Sequence, residues 1–177
     1  MTRTVARSDA VEAIVAQAAV APGRLVILLD GGSGAGKTVL ANEIAARIEG
    51  LQVVHLDDVY PGWYGLDAAS HAVTDTILRP ARPGYRRWDW VANEPSGWTS
   101  LDPAGPILVE GCGAISHESA PVAPVRVWLD LDPDTRRTRA LARDEGYEPW
   151  WEVWAAQEQE HWRRNRPWQL ATLRVRG

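Results

Sequence analysis

Short apolar runs alternate along the chain with segments that have the spacing of amphipathic helices. Such runs, when turn residues bound them, are typical of parallel strands that are buried on both faces. They cover residues 25 to 29, 51 to 56, 107 to 109 and 125 to 129. Helical spacing covers residues 9 to 20, 38 to 48, 67 to 78 and 133 to 143. This alternation predicts an α/β fold with a mainly parallel central sheet and helices on both faces.

The remaining segments are less regular. The first helix has a predicted capping box, with Asp9 as N-cap and Glu12 as its partner three residues on. Residues 80 to 100 are rich in Pro, Gly, Arg and Trp, so we expect an excursion from the sheet there, with a short strand at 85 to 90. A long helix and a closing strand are predicted at residues 149 to 165 and 170 to 175.

Length and composition limit the class of protein. With 177 residues, 45% of them apolar, the chain suits one domain with a sizeable core, and we assign residues 1 to 177 to a single domain. The net charge of −4, with basic residues scattered among acidic ones, argues against a nucleic-acid partner. No segment resembles a secretory signal or reaches the roughly 18 apolar residues of a membrane span. We therefore expect a cytoplasmic protein without a membrane partner.

One glycine-rich run carries the strongest chemical signal. The chain has eighteen arginines but a single lysine, and that lysine lies in this run. The run consists of Gly31, Gly32, Ser33, Gly34, Ala35, Gly36, Lys37 and Thr38. It fits G-x-x-x-x-G-K-[ST] between a predicted strand and a predicted helix, which is the setting of a phosphate-binding P-loop. Its N–H groups favour phosphate oxygens, Lys37 can reach the β and γ phosphates, and Thr38 can ligate magnesium.

Acidic residues follow two other predicted strands. Asp57 and Asp58 end the second strand, and Glu110 ends the third. Ligands of parallel sheets bind beyond the carboxyl ends of the strands, so these carboxylates are expected at the same edge as the P-loop. Asp57 can accept the proton of an attacking hydroxyl. Glu110 can hold magnesium, directly or through water, or orient the attacking group.

Several arginines follow the fourth strand on a predicted helix, namely Arg136, Arg137, Arg139 and Arg143. Arg139 and Arg143 are four residues apart and therefore lie on one helix face. Two interpretations are open. The pair can neutralise charge on a transferred phosphoryl group, or it can belong to a solvated helix face.

These motifs together resemble the group of P-loop kinases that contains uridine kinase, phosphoribulokinase and bacterial-type pantothenate kinase. Residues 32 to 38 are similar to the group's G-x-S-G-S-G-K-T, and residues 57 to 60 are similar to its D-x-F-Y. Residues 109 to 111 are similar to its E-G after a strand, and residues 134 to 144 to its lid motif D-x-R-x-x-R-R-x-x-R-D. Val59 replaces the aromatic residue of D-x-F-Y, and Ala140 replaces one lid arginine. The resemblance covers a little under half of the chain.

The resemblance implies a three-layer P-loop NTPase fold. It also implies ATP-dependent, magnesium-requiring phosphoryl transfer to a hydroxyl of a small polar acceptor, such as a nucleoside or a similar metabolite. ATP and Mg²⁺ are the cofactors it implies. It assigns the catalytic base to Asp57, with Lys37 as a further catalytic residue.

The remaining roles also come from the resemblance. It places Thr38 and Glu110 at the metal. It places a lid at about residues 133 to 146, from which Arg139 and Arg143 contact the nucleotide and Arg139 takes part in catalysis.

The acceptor region is expected at about residues 80 to 100. Aromatic rings, an arginine and a carboxylate there can stack a ring and bind hydroxyls, although packing of a short sheet explains them equally well. The expected acceptor-binding residues are Tyr60, Tyr85, Arg87, Trp88 and Asp89. Trp150, Trp151 and Trp154 are interpreted as packing residues of the core or of a homodimer rather than as ligand contacts, although a ligand role stays open, as does a dimer.

Competing functions differ in what they require of the chain. A GTPase needs an N-K-x-D motif, which a chain with its only lysine at position 37 cannot have. A nucleoside-monophosphate kinase stays open, and its acceptor phosphate would need arginines such as Arg79, Arg82, Arg86 and Arg87. A nucleotide-binding regulator that transfers no phosphate also stays open.

Overall fold

A computed structural model describes residues 2 to 177. Its strands are β1 (Arg3–Ala6), β2 (Val26–Asp30), β3 (Gln52–His55), β4 (Gly84–Asp89), β5 (Glu94–Ser100), β6 (Ile107–Glu110), β7 (Val125–Asp130) and β8 (Leu173–Arg176). The central sheet has the order β1-β8-β7-β2-β6-β3 and all its pairings are parallel. The predicted parallel sheet is therefore confirmed.

Helices connect the strands of this sheet. They are α1 (Ala10–Ala19), α2 (Lys37–Ala45), α3 (Leu66–Ala72), α4 (Pro133–Arg143), α5 (Trp151–Asn165) and α6 (Pro167–Leu170). A π-helical turn, Val73–Ile77, extends α3, and 3₁₀ turns lie at Leu56–Asp58 and Glu145–Trp150. Within residues 2 to 177, no helix is both long and apolar enough to cross a bilayer.

The sheet is buried between two layers of helices. All five residues of β2 are buried, as a strand covered on both faces requires. On one face, Ile14 of α1 and Ile44 of α2 belong to the same apolar cluster as Ile27. On the other face, α3 and α5 contribute to the cluster that contains Leu28 and Val109. The predicted helices on both faces are confirmed.

Residues 84 to 100 form an antiparallel hairpin of β4 and β5 rather than a single short strand. Tyr85 pairs with Thr99, and the register shifts between Arg86 and Trp88. The indole N–H of Trp90, just after β4, donates a hydrogen bond to the carbonyl oxygen of Asp57 at 2.8 Å. This contact brings the end of the hairpin to the carboxyl end of β3.

The predicted capping box of the first helix is wrong. A 3₁₀ turn precedes α1, so Asp9 has φ −100° and ψ −1° instead of the extended backbone that is typical of an N-cap. The Asp9 side chain caps no backbone N–H of α1 among the described residues. Glu12 pairs with Arg47 at 2.5 Å instead.

Strand β1 was not predicted, because it contains no apolar run. Three of its four residues are exposed, and its backbone pairs with β8 at the edge of the sheet. The apolar pattern does not detect a strand that lacks an apolar run. The closing strand β8 was predicted, and it is shifted by a few residues toward the C-terminus.

Candidate active site

The P-loop folds around the ammonium group of Lys37. This group donates hydrogen bonds to the carbonyl oxygens of Gly31 at 2.8 Å and Gly32 at 3.1 Å, and it lies 3.4 Å from the sulfur of Cys112. Burial lowers the pKa of Lys37, but nearby acidic groups outweigh burial and raise it above its ordinary value. The nearby Cys112 thiol stays protonated because burial raises its pKa, so it carries no negative charge that could raise the pKa of Lys37. We therefore attribute the raised pKa of Lys37 to carboxylates such as Glu110. Lys37 is therefore a buried cation at the predicted phosphate site.

Two loop positions require glycine. Gly34 has a φ of +81°, and a Cβ atom there would overlap the carbonyl oxygen of Arg136 in α4. Gly36 has a φ of +94° immediately before α2. L-residues with a side chain rarely adopt this left-handed backbone, so the loop conformation depends on both glycines.

Glu158 of α5 supports the P-loop from behind. Its carboxylate accepts a hydrogen bond from the backbone N–H of Ser33 at 2.6 Å and pairs with the guanidinium of Arg136 at 3.4 Å. Arg136 also donates to the carbonyl oxygen of Ser33 at 3.3 Å, and the hydroxyl of Tyr147 donates to the Ser33 hydroxyl at 2.9 Å. Both charged side chains are buried. No sequence motif singles out Glu158, which contacts Ser33 across 125 positions of the chain.

Glu110 connects the P-loop to the end of β3. The hydroxyl of Thr38 donates to its Oε1 atom at 2.9 Å, and the same oxygen lies 2.7 Å from Nδ1 of His55. Burial raises the pKa of Glu110, but the hydrogen bond from His55 and the charge of Lys37 outweigh burial and lower it below its ordinary 4.5. Glu110 is thus a buried carboxylate that stays ionised.

Thr38 and Glu110 fit a magnesium ion that is held partly by the protein and partly by the phosphates of a bound nucleotide. Among the described residues, no three His, Cys, Asp or Glu side chains form a cluster that could hold a metal ion. Magnesium needs no such cluster, because it keeps several waters and usually binds one or two protein oxygens plus phosphate. A hydroxyl and an ionised carboxylate beside the loop supply those oxygens. The metal role of both residues stays a prediction.

The position after Glu110 requires a glycine, which is Gly111. Its φ is +150°, and a Cβ atom there would lie 2.5 Å from Cβ of Leu56 and 2.8 Å from the hydroxyl oxygen of Tyr60. Tyr60 is buried, and its hydroxyl donates to the carbonyl oxygen of Cys112 at 2.9 Å. The turn after β6 and the turn after β3 therefore pack directly on each other.

Asp57 lies in the 3₁₀ turn that follows β3. Its side chain is exposed where it lines a cavity. The crowded protein surroundings of this cavity wall limit its hydration and raise its pKa above the ordinary 3.8, Glu110 raises it further, and Lys37 and Arg143 act in the opposite direction. A raised pKa suits a general base, because it increases the affinity of the carboxylate for a proton.

A cavity of about 700 Å³ brings most of the predicted site together. The predicted residues that line it are Ser33, Gly34, Gly36, Lys37, Thr38, Asp57, Tyr60, Glu110, Arg139 and Arg143. Arg139 and Arg143 are exposed on α4, so their guanidinium groups are accessible from this cavity. The P-loop, the carboxylates after β3 and β6, and the lid arginines therefore share one space.

Four predicted acceptor residues do not line this cavity. Tyr85 is buried in the core, and Arg87 lies 3.8 Å from Asp58. Asp89 accepts hydrogen bonds from the backbone N–H groups of residues 91 and 92, and the indole N–H of Trp88 has no partner among the described residues. Their acceptor role stays a prediction without support from this geometry.

Aromatic rings form the other half of the cavity lining, namely Tyr60, Trp63, Trp90, Tyr147, Trp150 and Trp154. Tyr60 was a predicted acceptor residue, and Trp90 lies in the segment where acceptor contacts were expected. Sequence reasoning singled out neither Trp63 nor Tyr147. Of the three tryptophans that were interpreted as packing residues, Trp151 is buried in the core, whereas Trp150 and Trp154 also line the cavity. The abundance of tryptophan was the available signal, but it does not say which rings share a space.

A second cavity of about 630 Å³ lies on the other side of the P-loop. Gly32 and Arg136 line it, together with three indoles from β7, α5 and α6. Trp128 contacts the rings of Trp162 and Trp168 edge-on, each with centroids 5.7 Å apart. The P-loop therefore separates two aromatic cavities.

Known proteins resemble this chain in sequence and in structure. No protein-family model matches it. Uridine kinase of Staphylococcus epidermidis is 29% identical over 142 residues, which cover 67% of this chain and 68% of that enzyme. Uridine kinase of Staphylococcus haemolyticus is 27% identical over 143 residues, with the same coverage.

Two solved structures share the fold. A possible uridine kinase from Bacillus stearothermophilus superposes with a TM-score of 0.64 at 19% identity, over 95% of this chain and 98% of the other. A candidate fructose transport system kinase from Silicibacter sp. TM1040 superposes with a TM-score of 0.57 at 16% identity, over 94% and 97%. Together with the P-loop and the carboxylates around it, these likenesses bear out the predicted resemblance: the chain is a P-loop kinase that is similar in sequence to uridine kinases and shares the fold of such kinases.

Proposed function

We propose that the protein transfers the γ-phosphoryl group of MgATP to a hydroxyl group of a small polar acceptor. The observation that carries this proposal is that Lys37, Asp57 and the lid arginines line one cavity. Lys37, Arg139 and Arg143 provide positive charge for the triphosphate, and Asp57 provides a base beside it.

In this reaction, the acceptor oxygen attacks the γ phosphorus and forms a new P–O bond. The bond to the β,γ-bridging oxygen breaks, ADP leaves, and the proton of the acceptor hydroxyl passes to Asp57. Magnesium, held by Thr38 and Glu110, neutralises charge on the β and γ phosphates when it is bound. Lys37 binds the same phosphates, while Arg139 and Arg143 stabilise the charge of the transferred group.

The second cavity suits the base of the nucleotide. Gly32 of the P-loop lines this cavity, so the base of a nucleotide whose triphosphate binds the loop can reach it. The indoles of Trp162 and Trp168 are only half-buried there, and they offer apolar surface for a planar base. Arg136 lies over the Trp162 ring at 5.5 Å and fixes one side of this space.

The alternative of a nucleoside-monophosphate kinase receives less support. Its acceptor phosphate requires basic residues in the acceptor part of the cavity. None of the four arginines proposed for that purpose lines the cavity in the described structure, namely Arg79, Arg82, Arg86 and Arg87. A regulator without catalysis would need no base beside the P-loop. The carboxylate of Asp57 lies there, and its surroundings raise its pKa.

Release of ADP in the presence of MgATP and a panel of nucleosides, nucleoside monophosphates and other hydroxyl-bearing metabolites tests the proposal. We expect at least one uncharged or cationic acceptor to stimulate ADP release. The variant Asp57→Asn is expected to bind ATP normally and to lose transfer, whereas Asp75→Asn, an exposed control outside the cavity, keeps it. Transfer that survives in Asp57→Asn would reject the base, and tight ATP binding without any acceptor would favour the regulator.

A further inference from the structure

Indole rings from separate segments build the acceptor half of the active-site cavity. Trp63 follows the turn that carries Asp57, Trp90 comes directly after strand β4, and Trp150 precedes α5. The ring of Trp63 lies parallel to that of Trp150 with centroids 5.4 Å apart, and 5.0 Å from that of Trp90. All three line the cavity and keep part of their surface exposed.

Apolar rings that share an open cavity often mark a binding site. Two further rings that line the cavity, those of the buried residues Tyr147 and Trp154, contact Trp63 with centroids 5.3 Å and 6.5 Å away, the first stacked and the second edge-on. The exposed indoles are therefore held in place by neighbouring aromatic residues. This arrangement is a preformed wall rather than a set of loose surface side chains.

The basic and acidic residues of the cavity come from different elements. Its basic residues are Lys37, Arg139 and Arg143, and each belongs to α2, whose N-terminus follows the P-loop, or to α4. The acidic residues that line the cavity lie outside those two helices, and they are Asp57, Asp58, Glu110 and Asp144, the last directly after α4. Among the described lining residues, none outside α2 and α4 is basic. Once a triphosphate neutralises the bases, the space beside the indoles is acidic and aromatic.

We propose that the acceptor is a flat heterocyclic cation that carries a hydroxyl group, bound with its ring against the wall of Trp63, Trp90 and Trp150. The face of an indole attracts a cation, and carboxylates beside it add to this attraction. Asp58 and Asp144 provide these carboxylates, while Asp57 faces the hydroxyl. An anionic acceptor would be repelled by the same three side chains.

This inference rests on the proposed function, because it names the acceptor of the same transfer. The ring cation keeps its charge throughout the reaction. Its hydroxyl oxygen forms the bond to the γ phosphorus, the bond from that phosphorus to the β,γ-bridging oxygen breaks, and the hydroxyl proton passes to Asp57.

Three isosteric alcohols that differ in charge test the inference. They are meta-hydroxymethyl N-methylpyridinium, meta-methylbenzyl alcohol and meta-hydroxymethyl benzoate. Their affinities are measured by calorimetry with the full-length protein, Mg²⁺ and a non-hydrolysable ATP analogue, and ADP release is measured separately with ATP. We expect the cation to bind about tenfold more tightly than the neutral alcohol, and the anion more weakly than both.

Two variants with matched controls identify the source of the preference. Trp150→Leu should reduce the ratio of cation to neutral affinity to near one, whereas Trp98→Leu, on strand β5 outside the cavity, should leave the ratio unchanged. Asp58→Asn should lower the same ratio, and Asp75→Asn should not. A circular-dichroism spectrum checks that each variant is folded.

Equal or tighter binding of the neutral or anionic alcohol would overturn the inference, as would the absence of saturable cation binding at millimolar concentrations. The proposed function fails in a different way. In that case the ATP analogue does not bind, or no acceptor in the wider metabolite panel stimulates ADP release. A kinase that phosphorylates neutral alcohols without any preference for the cation would keep its proposed function and lose this inference.

Discussion

The buried carboxylate of Glu158 accepts a hydrogen bond from the backbone N–H of Ser33 at 2.6 Å, which joins the middle of α5 to the P-loop. The second oxygen of the same carboxylate pairs with Arg136, the residue whose backbone fills the space that a side chain at Gly34 would need. A single acidic side chain thus connects the phosphate loop, the lid helix α4 and the aromatic helix α5. The position of the loop therefore depends on residues remote from it in sequence.

We predict that Glu158→Gln destabilises the protein and weakens ATP binding. An amide oxygen can still accept from Ser33, but Arg136 loses the charge that compensates its burial, which costs about 1–3 kcal/mol. Urea unfolding measures the stability, and titration with MgATP measures the affinity. Glu160→Gln is the matched control, because Glu160 is exposed and pairs with Arg163 at the surface, where solvent screens the pair and its loss should change stability little. Equal effects of the two substitutions would contradict a supporting role of Glu158.

Binding of MgATP should stabilise the wild-type protein against heat. A ligand at a hundredfold excess over its Kd adds about 2.7 kcal/mol to the free energy of unfolding. Lys37→Met should remove most of this increase, because methionine fills the volume of the side chain without its charge. Magnesium chloride without ATP is the control for the ion alone. An equal thermal shift in wild type and Lys37→Met would count against the P-loop as the phosphate site.

The sequence predicted those parts of the site whose residues are adjacent along the chain. The P-loop lies between one buried strand and the helix that follows, so its setting can be read locally. Asp57 and Glu110 are far apart in sequence, but each lies at or just beyond the carboxyl end of a predicted strand. The rule that parallel strands end at one edge of the sheet was sufficient to bring them together, and β3 and β6 are neighbours in the structure.

The remaining site residues depend on contacts that no local pattern encodes. Trp63 lies in an irregular segment and contacts rings from the turn after β4, the turn after α4, and α5, so its role follows only from tertiary packing. In the hairpin, the acceptor pocket was expected along residues 85 to 90, yet of these only Trp90 lines the cavity. A shift in register between β4 and β5, which composition cannot reveal, contributes to where these side chains point.

The second cavity should distinguish a nucleotide from its phosphates. We predict that Trp168→Ala weakens ATP binding by about 1–3 kcal/mol, the range of base stacking on an aromatic ring, and leaves the affinity for inorganic tripolyphosphate unchanged. Calorimetry with both ligands and magnesium measures the difference. Trp98→Ala, an exposed indole on β5, is the control and should affect neither ligand. Loss of affinity for both ligands would show that Trp168 supports the loop rather than a base.

The acid side of the pH–rate profile should report the charge around Asp57. A general base acts in its ionised form, so kcat/KM rises with pH through the pKa of Asp57, which its crowded surroundings and Glu110 place above the ordinary 3.8. Lys37 and Arg143 lower this pKa. Removal of a positive charge in Arg143→Gln should therefore raise it and move the acid limb to higher pH, in addition to a lower kcat from weaker phosphate contacts.

The matched control for this shift is Arg137→Gln, which removes the same charge from an exposed position on α4 that does not line the cavity. Its acid limb should coincide with that of the wild type, because solvent screens charges that lie far from Asp57. If Asp57 is the titrating base, the acid limb of kcat/KM for Arg143→Gln must lie at higher pH than that of the wild type. An unmoved limb, or one that moves to lower pH, would assign the titration to another group.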